Sequence, residues 1–125
     1  MNTVRAGAPK HFQQLEAWQE AHKLVLAVYA NTKGFPRDEL FGLVSQMRRA
    51  AVSVPANIAE GFKRRGIREK IPFYNIVEGS LEELKYYFIL AQDLHYLESN
   101  HDLLAQAETA GRLLNGLIES TAARL

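Results

Sequence analysis

Cysteine, long apolar runs and a large net charge are all missing from this 125-residue chain. Without cysteine there is no disulfide framework, no thiolate nucleophile and no thiolate-ligated zinc or iron–sulfur site, so stability has to come from packing. No apolar stretch approaches the roughly 20 residues of a membrane span, and the N-terminal segment lacks an apolar core of signal-peptide length. We therefore expect a cytoplasmic protein with no membrane contact.

Charge is distributed unevenly along a chain of otherwise ordinary globular composition. Hydrophobic residues make up 47% and charged residues 23%, which is typical of one folded domain of this length. The net charge of +1 hides a separation, because residues 48–70 contain seven bases and two acids whereas residues 78–119 contain eight acids and two bases. This pattern predicts one basic region on a largely acidic molecule.

Every strong apolar period in the chain is helical. Residues 1–11 contain Gly7 and Pro9 and few apolar side chains, so we interpret them as a flexible lead-in to a domain spanning 12–125. The first helix is predicted to begin near Phe12 and to end near Gly34, where glycine would adopt the left-handed conformation that closes a helix. Its stripe consists of Leu15, Trp18, His22, Val25 and Tyr29, widened by Leu24 and Val28.

The second helix is expected to start around Asp38 and to carry a long bundle-type seam. Pro55 interrupts it, removing the amide that would bond to the Ala51 carbonyl. Because the apolar period continues in phase beyond the proline, we predict a bend near residues 51–55 rather than an end. The seam residues are Leu40, Val44, Met47, Ala51, Val54, Ile58 and Phe62.

Two further helices follow a basic turn bracketed by Gly61 and Gly66. Pro72 is expected in the first turn of helix three, where its missing amide costs little. Helix three has two adjoining apolar stripes, which together make a wider apolar face than a small monomer needs. The first stripe consists of Val77, Leu81, Leu84, Phe88, Ala91 and His95. The second consists of Tyr87, Leu90, Leu94 and Leu97. Polar caps at 99–102 precede the fourth seam. Short connections then predict an all-α, antiparallel up-down-up-down four-helix bundle.

Two polar features are candidate sites. A stripe on helix two, made of Arg49, Ser53, Asn57, Glu60 and Arg64, is either a solvated face with a Glu60–Arg64 pair or a recognition surface or polar subunit contact. The cations between residues 48 and 70 are either a solubilising surface or a binding surface for phosphate groups. The candidate nucleic-acid-binding residues are Arg48, Arg49, Lys63, Arg64, Arg65, Arg68 and Lys70.

Sequence patterns of catalytic and metal-binding sites are weaker than these two polar features. The histidines show no His-Glu-x-x-His spacing, and His22 and His95 lie on apolar stripes, where core or interface roles are commoner than ligand roles. The chain has no nucleophile elbow and no phosphate-cradling loop. We therefore predict no enzyme activity, no metal and no cofactor.

A family resemblance rests on two segments of the chain. Residues 46–61 read QMRRAAVSVPANIAEG and residues 79–84 read GSLEEL. This pattern resembles the four-helix bundle proteins named for genes in 23S rRNA intervening sequences, over about residues 12–120. The motif positions are Arg49, Ser53, Pro55, Asn57, Glu60, Gly61, Gly79 and Ser80.

The resemblance implies a homopentameric ring. It also implies a relationship to accessory proteins of diversity-generating retroelements, which bind nucleic acid and a reverse transcriptase. Our leading hypothesis is a non-catalytic oligomer that binds RNA or DNA through a basic face. The alternative is a protein-interaction scaffold, for example an accessory subunit of a reverse transcriptase, without direct nucleic-acid binding.

Overall fold

The computed structural model describes residues 8–123 and contains four α-helices in that part of the chain, with no strand. Single 3-10 turns at Phe12–Gln14 and Arg37–Glu39 precede the first two helices. The all-α prediction is therefore confirmed, although residues 1–7 of the predicted lead-in and residues 124–125 of the predicted domain lie outside the described residues. The helices are α1 Glu16–Thr32, α2 Leu43–Lys63, α3 Ile67–Asp93 and α4 His101–Ala123.

The four helices pack in chain order around a square. Helix α1 contacts α2 and α4, and α3 contacts the same two neighbours, while the diagonal pairs stay further apart throughout the described ranges. Because successive neighbours are joined by short connections, they run antiparallel, as the up-down-up-down prediction requires. The α2–α3 pair has the most extensive contact. Among residues 8–123, no helix is both long and apolar enough to cross a bilayer.

The core confirms most of the predicted seams but rotates the stripe on α1. Its fully buried residues include Ala21, Leu24 and Val28, whereas His22 is exposed and its ring stacks on Trp18 at 5.1 Å. Ala17 and Ala21 occupy the buried positions in the first half of α1, and Leu24 and Val28 occupy them in the second half. The predicted seams of α2 and α3 are buried at Met47, Ala51, Val54, Ile58, Val77, Leu84, Phe88 and Ala91.

Two predicted helix starts were wrong, and so was the predicted conformation at one helix end. Helix α1 begins at Glu16 rather than near Phe12, because Leu15 is extended and separates it from the preceding turn. Gly34 does not close α1 in a left-handed conformation, since none of the described glycines has a positive φ. Helix α2 begins at Leu43, whose amide donates to Glu39 Oε1 at 3.2 Å, so the acidic residue caps the helix from outside it.

The proline predictions had different outcomes. Pro72 lies in the second turn of α3 and not in the first, because that helix already starts at Ile67. Helix α2 runs through Pro55 without ending, as predicted. The bend at Pro55 stays a prediction.

His95 serves as the C-terminal cap of α3 rather than as the last residue of its apolar stripe. Its φ of 64° places it in the left-handed region, where histidine is one of the more tolerated non-glycine residues. The Tyr96 amide donates to the Ala91 carbonyl at 2.8 Å, and the His95 amide donates to the Gln92 carbonyl at 2.9 Å. This is the Schellman arrangement, which ends α3 at Asp93, so that Leu94 and Leu97 of the second predicted stripe lie beyond the helix.

Gly61 lets a side chain of α3 pack directly against the backbone of α2. A Cβ atom added at this position would lie 2.5 Å from Cε1 of Tyr74, a ring that is almost completely buried. The phenol is held against the backbone of α2, and this burial raises its pKa. Glycine at 61 is therefore required by packing and not by backbone conformation.

We predict that Gly61→Ala destabilises the protein by roughly 1–3 kcal/mol through overpacking, although alanine is the better helix former by about 1 kcal/mol. Gly116→Ala is the matched control, because it also lies inside a helix but has nothing within 4 Å of an added Cβ. The control should gain about 0.5–1 kcal/mol. Urea denaturation monitored by circular dichroism measures both. Equal effects of the two substitutions would contradict the packing argument.

Candidate nucleic-acid interface

The α2–α3 turn presents a dense group of cations at one end of the bundle. Helix α2 ends at Lys63 and α3 begins at Ile67, so three residues make the connection. The Arg64 amide donates to the Gly61 carbonyl at 3.2 Å, and the Gly66 carbonyl accepts amides from the first turn of α3. Because both ends of the turn are hydrogen-bonded, its basic side chains are attached to a defined backbone.

Lys70 has a structural role within this group. Its Nζ donates to the carbonyls of Gly61 and Phe62 at 3.1 and 2.9 Å, and it lies 5.7 Å from the centre of the Phe62 ring. These carbonyls belong to the last turn of α2, where the helix dipole is negative. The ammonium group therefore caps α2 from the start of α3, and it is half-buried in doing so.

Arg64 is partly engaged as well. Its guanidinium pairs with Glu60 at 2.7 Å and lies 5.1 Å from the centre of the Phe73 ring. Both charged side chains of the pair are exposed, so the ion pair contributes at most about 0.5 kcal/mol. Arg64 can exchange this partner for a phosphate at little cost.

Three cations in the turn or next to it are exposed, and their side chains make no hydrogen bond or ion pair with any residue in the described part of the chain. They are Lys63, Arg65 and Arg68. Such side chains release counterions when they meet a polyanion and lose no intramolecular contact in doing so. These three residues are the strongest candidates for phosphate contact.

Arg48 and Arg49 do not belong to this end of the bundle, which corrects the single basic region inferred from sequence. Fifteen residues of α2 separate Arg48 from Lys63, a distance of about 22 Å along the helix. Arg48 Nε donates to Thr32 Oγ1 at 3.0 Å, and its guanidinium lies 4.6 Å from the centre of the Tyr29 ring. Arg48 therefore ties α2 to α1, whereas Arg49 is exposed and has no partner in residues 8–123.

The N-terminal segment adds a cation that the sequence interpretation missed. Residues 10–13 lie against the C-terminal half of α2 and enclose with it a cleft of about 520 Å³, which Lys10 and Lys63 both line. Lys10 had been assigned to the flexible lead-in. Its proximity to Lys63 depends on how the segment folds back, and no local pattern in the sequence encodes that contact.

The family motif forms a polar link between α2 and α3. Ser80 Oγ donates to Ser53 Oγ at 2.9 Å, and Asn57 Nδ2 donates to the carbonyl and the hydroxyl oxygen of Ser53 at 2.8 and 3.1 Å. Asn57 and Glu60 thus make specific hydrogen bonds within the chain. Ser80 is nearly buried, so its bond to Ser53 satisfies a hydroxyl that would otherwise cost about 1–3 kcal/mol.

The other motif residues have different surroundings. Pro55 is buried inside α2, and Gly61 accommodates Tyr74. Gly79 is exposed in the middle of α3, and an added Cβ would meet no atom of the described chain within 4 Å. Nothing in residues 8–123 therefore requires glycine at position 79.

An acidic surface lies between α3 and α4. Glu78, Glu82 and Glu108 line it together with Lys85, whose ammonium pairs with Glu108 and lies 3.3 Å from Glu82. The hydrogen bond to Glu108 raises the pKa of Lys85, and the same bond lowers the pKa of Glu108. No three histidine or carboxylate side chains within residues 8–123 are grouped so that they could hold a metal ion.

The geometry defines an all-α four-helix bundle whose α2–α3 turn carries unpaired cations. The family model described as 23S rRNA-intervening sequence protein matches residues 13–116, so the chain belongs to that family. It is also similar to the crystal structure of a protein of unknown function from the S23 ribosomal protein family of Bacteroides thetaiotaomicron. The TM-score is 0.74 at 19% identity, over 82% of this chain and 95% of that one, a likeness of fold alone. No curated protein matches the sequence.

Proposed function

We propose that this protein is a non-catalytic, cytoplasmic homo-oligomer that binds nucleic acid through the α2–α3 turn. The observation that carries the proposal is the group of three exposed, unpaired cations, Lys63, Arg65 and Arg68, on a turn whose backbone is hydrogen-bonded at both ends. Lys10 extends the group across the neighbouring cleft. A group of cations on a defined backbone suits contact with the phosphates of a nucleic acid.

Binding should depend steeply on salt. If one subunit engages about four phosphates, log K against log salt has a slope of about −3.6 for duplex DNA and about −2.8 for a single strand. Replacing Lys63, Arg65 and Arg68 by glutamine should lower the single-strand slope to about −0.7 per subunit. Fluorescence anisotropy with labelled RNA and DNA across a salt series measures these slopes.

The matched control replaces Lys23, Lys33 and Arg37 by glutamine. These exposed cations lie on α1 and beyond its C-terminal end, away from the turn, so the control loses the same net charge elsewhere. It should bind nearly as well as the wild type. Equal loss in both variants would mean that net charge, and not the turn, governs binding, and no binding of the wild type at low salt would refute the proposal.

A pentameric ring is the oligomer that we propose, from the family resemblance and from one face of α3. On its solvent-facing side, α3 exposes Ile76, Tyr86 and Ile89 at 48, 56 and 47%, together with Gly79. A partner subunit would remove these apolar side chains from water, and a glycine at position 79 would permit close approach of another backbone.

Native mass spectrometry should therefore find five subunits. Gly79→Arg is expected to shift the wild-type ring towards smaller species, because a long charged side chain would enter the contact. Gly116→Arg, at an equally open glycine on α4, should leave the ring intact. A wild-type monomer at micromolar concentration, or equal disruption by both variants, would contradict this assignment.

A protein-interaction scaffold is the second candidate function, and a different surface favours it. Phe41 is 92% exposed in the α1–α2 connection, and Leu40 beside it is exposed as well. An exposed phenylalanine held next to a capped helix is suited to insertion into a partner's pocket. An accessory subunit, for example of a reverse transcriptase, would use this end of the bundle, opposite the basic turn.

A further inference from the structure

The cleft between the N-terminal segment and α2 combines two aromatic rings with two cations. Phe12 lines it from the segment and Phe62 from the last turns of α2, and Lys10 and Lys63 lie on the same walls. Both rings are only partly buried, so each retains surface facing outward. The cleft volume of about 520 Å³ is within the usual range for small-ligand sites, which is about 300–1,000 Å³.

The aromatic wall at Phe12 is held in place before any ligand binds. The amides of Lys10 and His11 donate to Gln14 Oε1 at 2.7 and 3.0 Å, which closes the turn that carries Phe12. The Phe12 ring meets the Trp18 ring edge-on, with 5.1 Å between centroids. A ring fixed in this way loses little conformational entropy when a planar ligand stacks on it.

The opposite wall is fixed by the helix cap. Phe62 is one of the two residues whose carbonyls receive the Lys70 ammonium, so its backbone is anchored at the end of α2. Ala56 and Ala59 also line the cleft, and their side chains are small. The cleft therefore remains open along α2 instead of being filled from within.

We propose that this cleft holds one unpaired base of a single-stranded nucleic acid, stacked on Phe12, with the adjoining phosphates on Lys10 and Lys63. The inference rests on the proposed nucleic-acid function and names its substrate class. Aromatic rings beside cations are the elements with which proteins hold single strands, since every base has a face that can stack. A duplex keeps its bases stacked inside and offers the cleft only its phosphates.

The test compares an oligothymidylate of eight nucleotides with an abasic oligonucleotide of the same length, by fluorescence anisotropy at low salt. The two ligands carry the same backbone charge, so any difference reports the base. The wild type should bind the oligothymidylate about five- to a hundredfold more tightly, the range expected for one base stacked on an aromatic ring. Equal affinities would overturn the cleft assignment while leaving phosphate binding by the turn intact.

Two substitutions should remove this preference for bases. Phe12→Leu removes the aromatic face, and Ala56→Gln narrows the cleft without touching either ring or either cation. Each should bring the two affinities close together. The matched controls are Tyr29→Leu, an exposed aromatic on α1, and Ala105→Gln, an exposed alanine on α4, and both should retain the wild-type difference.

The outcomes separate the two proposals. Loss of the base preference in Phe12→Leu and Ala56→Gln, with the abasic ligand still bound, supports the cleft. If both variants keep the preference for the oligothymidylate, the cleft assignment is refuted and the base must contact another part of the protein. If neither oligonucleotide binds the wild type, the nucleic-acid function itself fails and the cleft assignment fails with it.

Discussion

The contact between the start of α3 and the end of α2 determines what the rest of this protein can do. The Lys70 ammonium caps two carbonyls of α2, and the Tyr74 ring packs against the backbone of Gly61 one turn of α3 later. Together they close the α2–α3 hairpin, the most extensive helix pair in the bundle. The basic turn, the Ser53–Ser80 link and the wall of the cleft at Phe62 all depend on that closure.

This arrangement divides the cations of one short segment between folding and binding. Lys70 is turned inward by its carbonyl partners, and Arg64 is held loosely by an exposed carboxylate. Lys63, Arg65 and Arg68 have no such partner and face solvent. A positively charged turn would ordinarily be destabilised by its own repulsion, and placing one cation at the negative end of a helix dipole offsets part of that cost.

Sequence reasoning predicted the helices and the bundle well, because amphipathic periods and short connections specify them directly. It predicted the polar stripe on α2, and the structure adds that Ser80 of α3 completes it. It failed at α1, where alanines and not the larger Trp18 face the core, since periodicity alone cannot distinguish two overlapping stripes. It also grouped Arg48 with the cations of the turn. Residues that are near in sequence can be far apart along a helix, so the grouping was wrong.

The cleft was missed for a different physical reason. Phe12 and Phe62 are fifty residues apart, and their approach depends on a turn closed by Gln14 and on the packing of that turn against α2. Neither the apolar periodicity nor a sequence motif indicates such a contact. The functional account of this protein therefore depends on tertiary placement, which puts the N-terminal segment and the basic turn at one end and the exposed Phe41 at the other.

Hydrogen exchange measured by mass spectrometry, with and without a short single-stranded RNA, tests that placement most directly. Bound RNA should slow amide exchange in residues 8–15 and 60–70, which form the cleft and the basic turn, and should leave the opposite end unchanged. Protection confined to residues 37–49 and 89–97 would contradict the account, because it would place the nucleic acid on the end that carries Phe41 and Arg48.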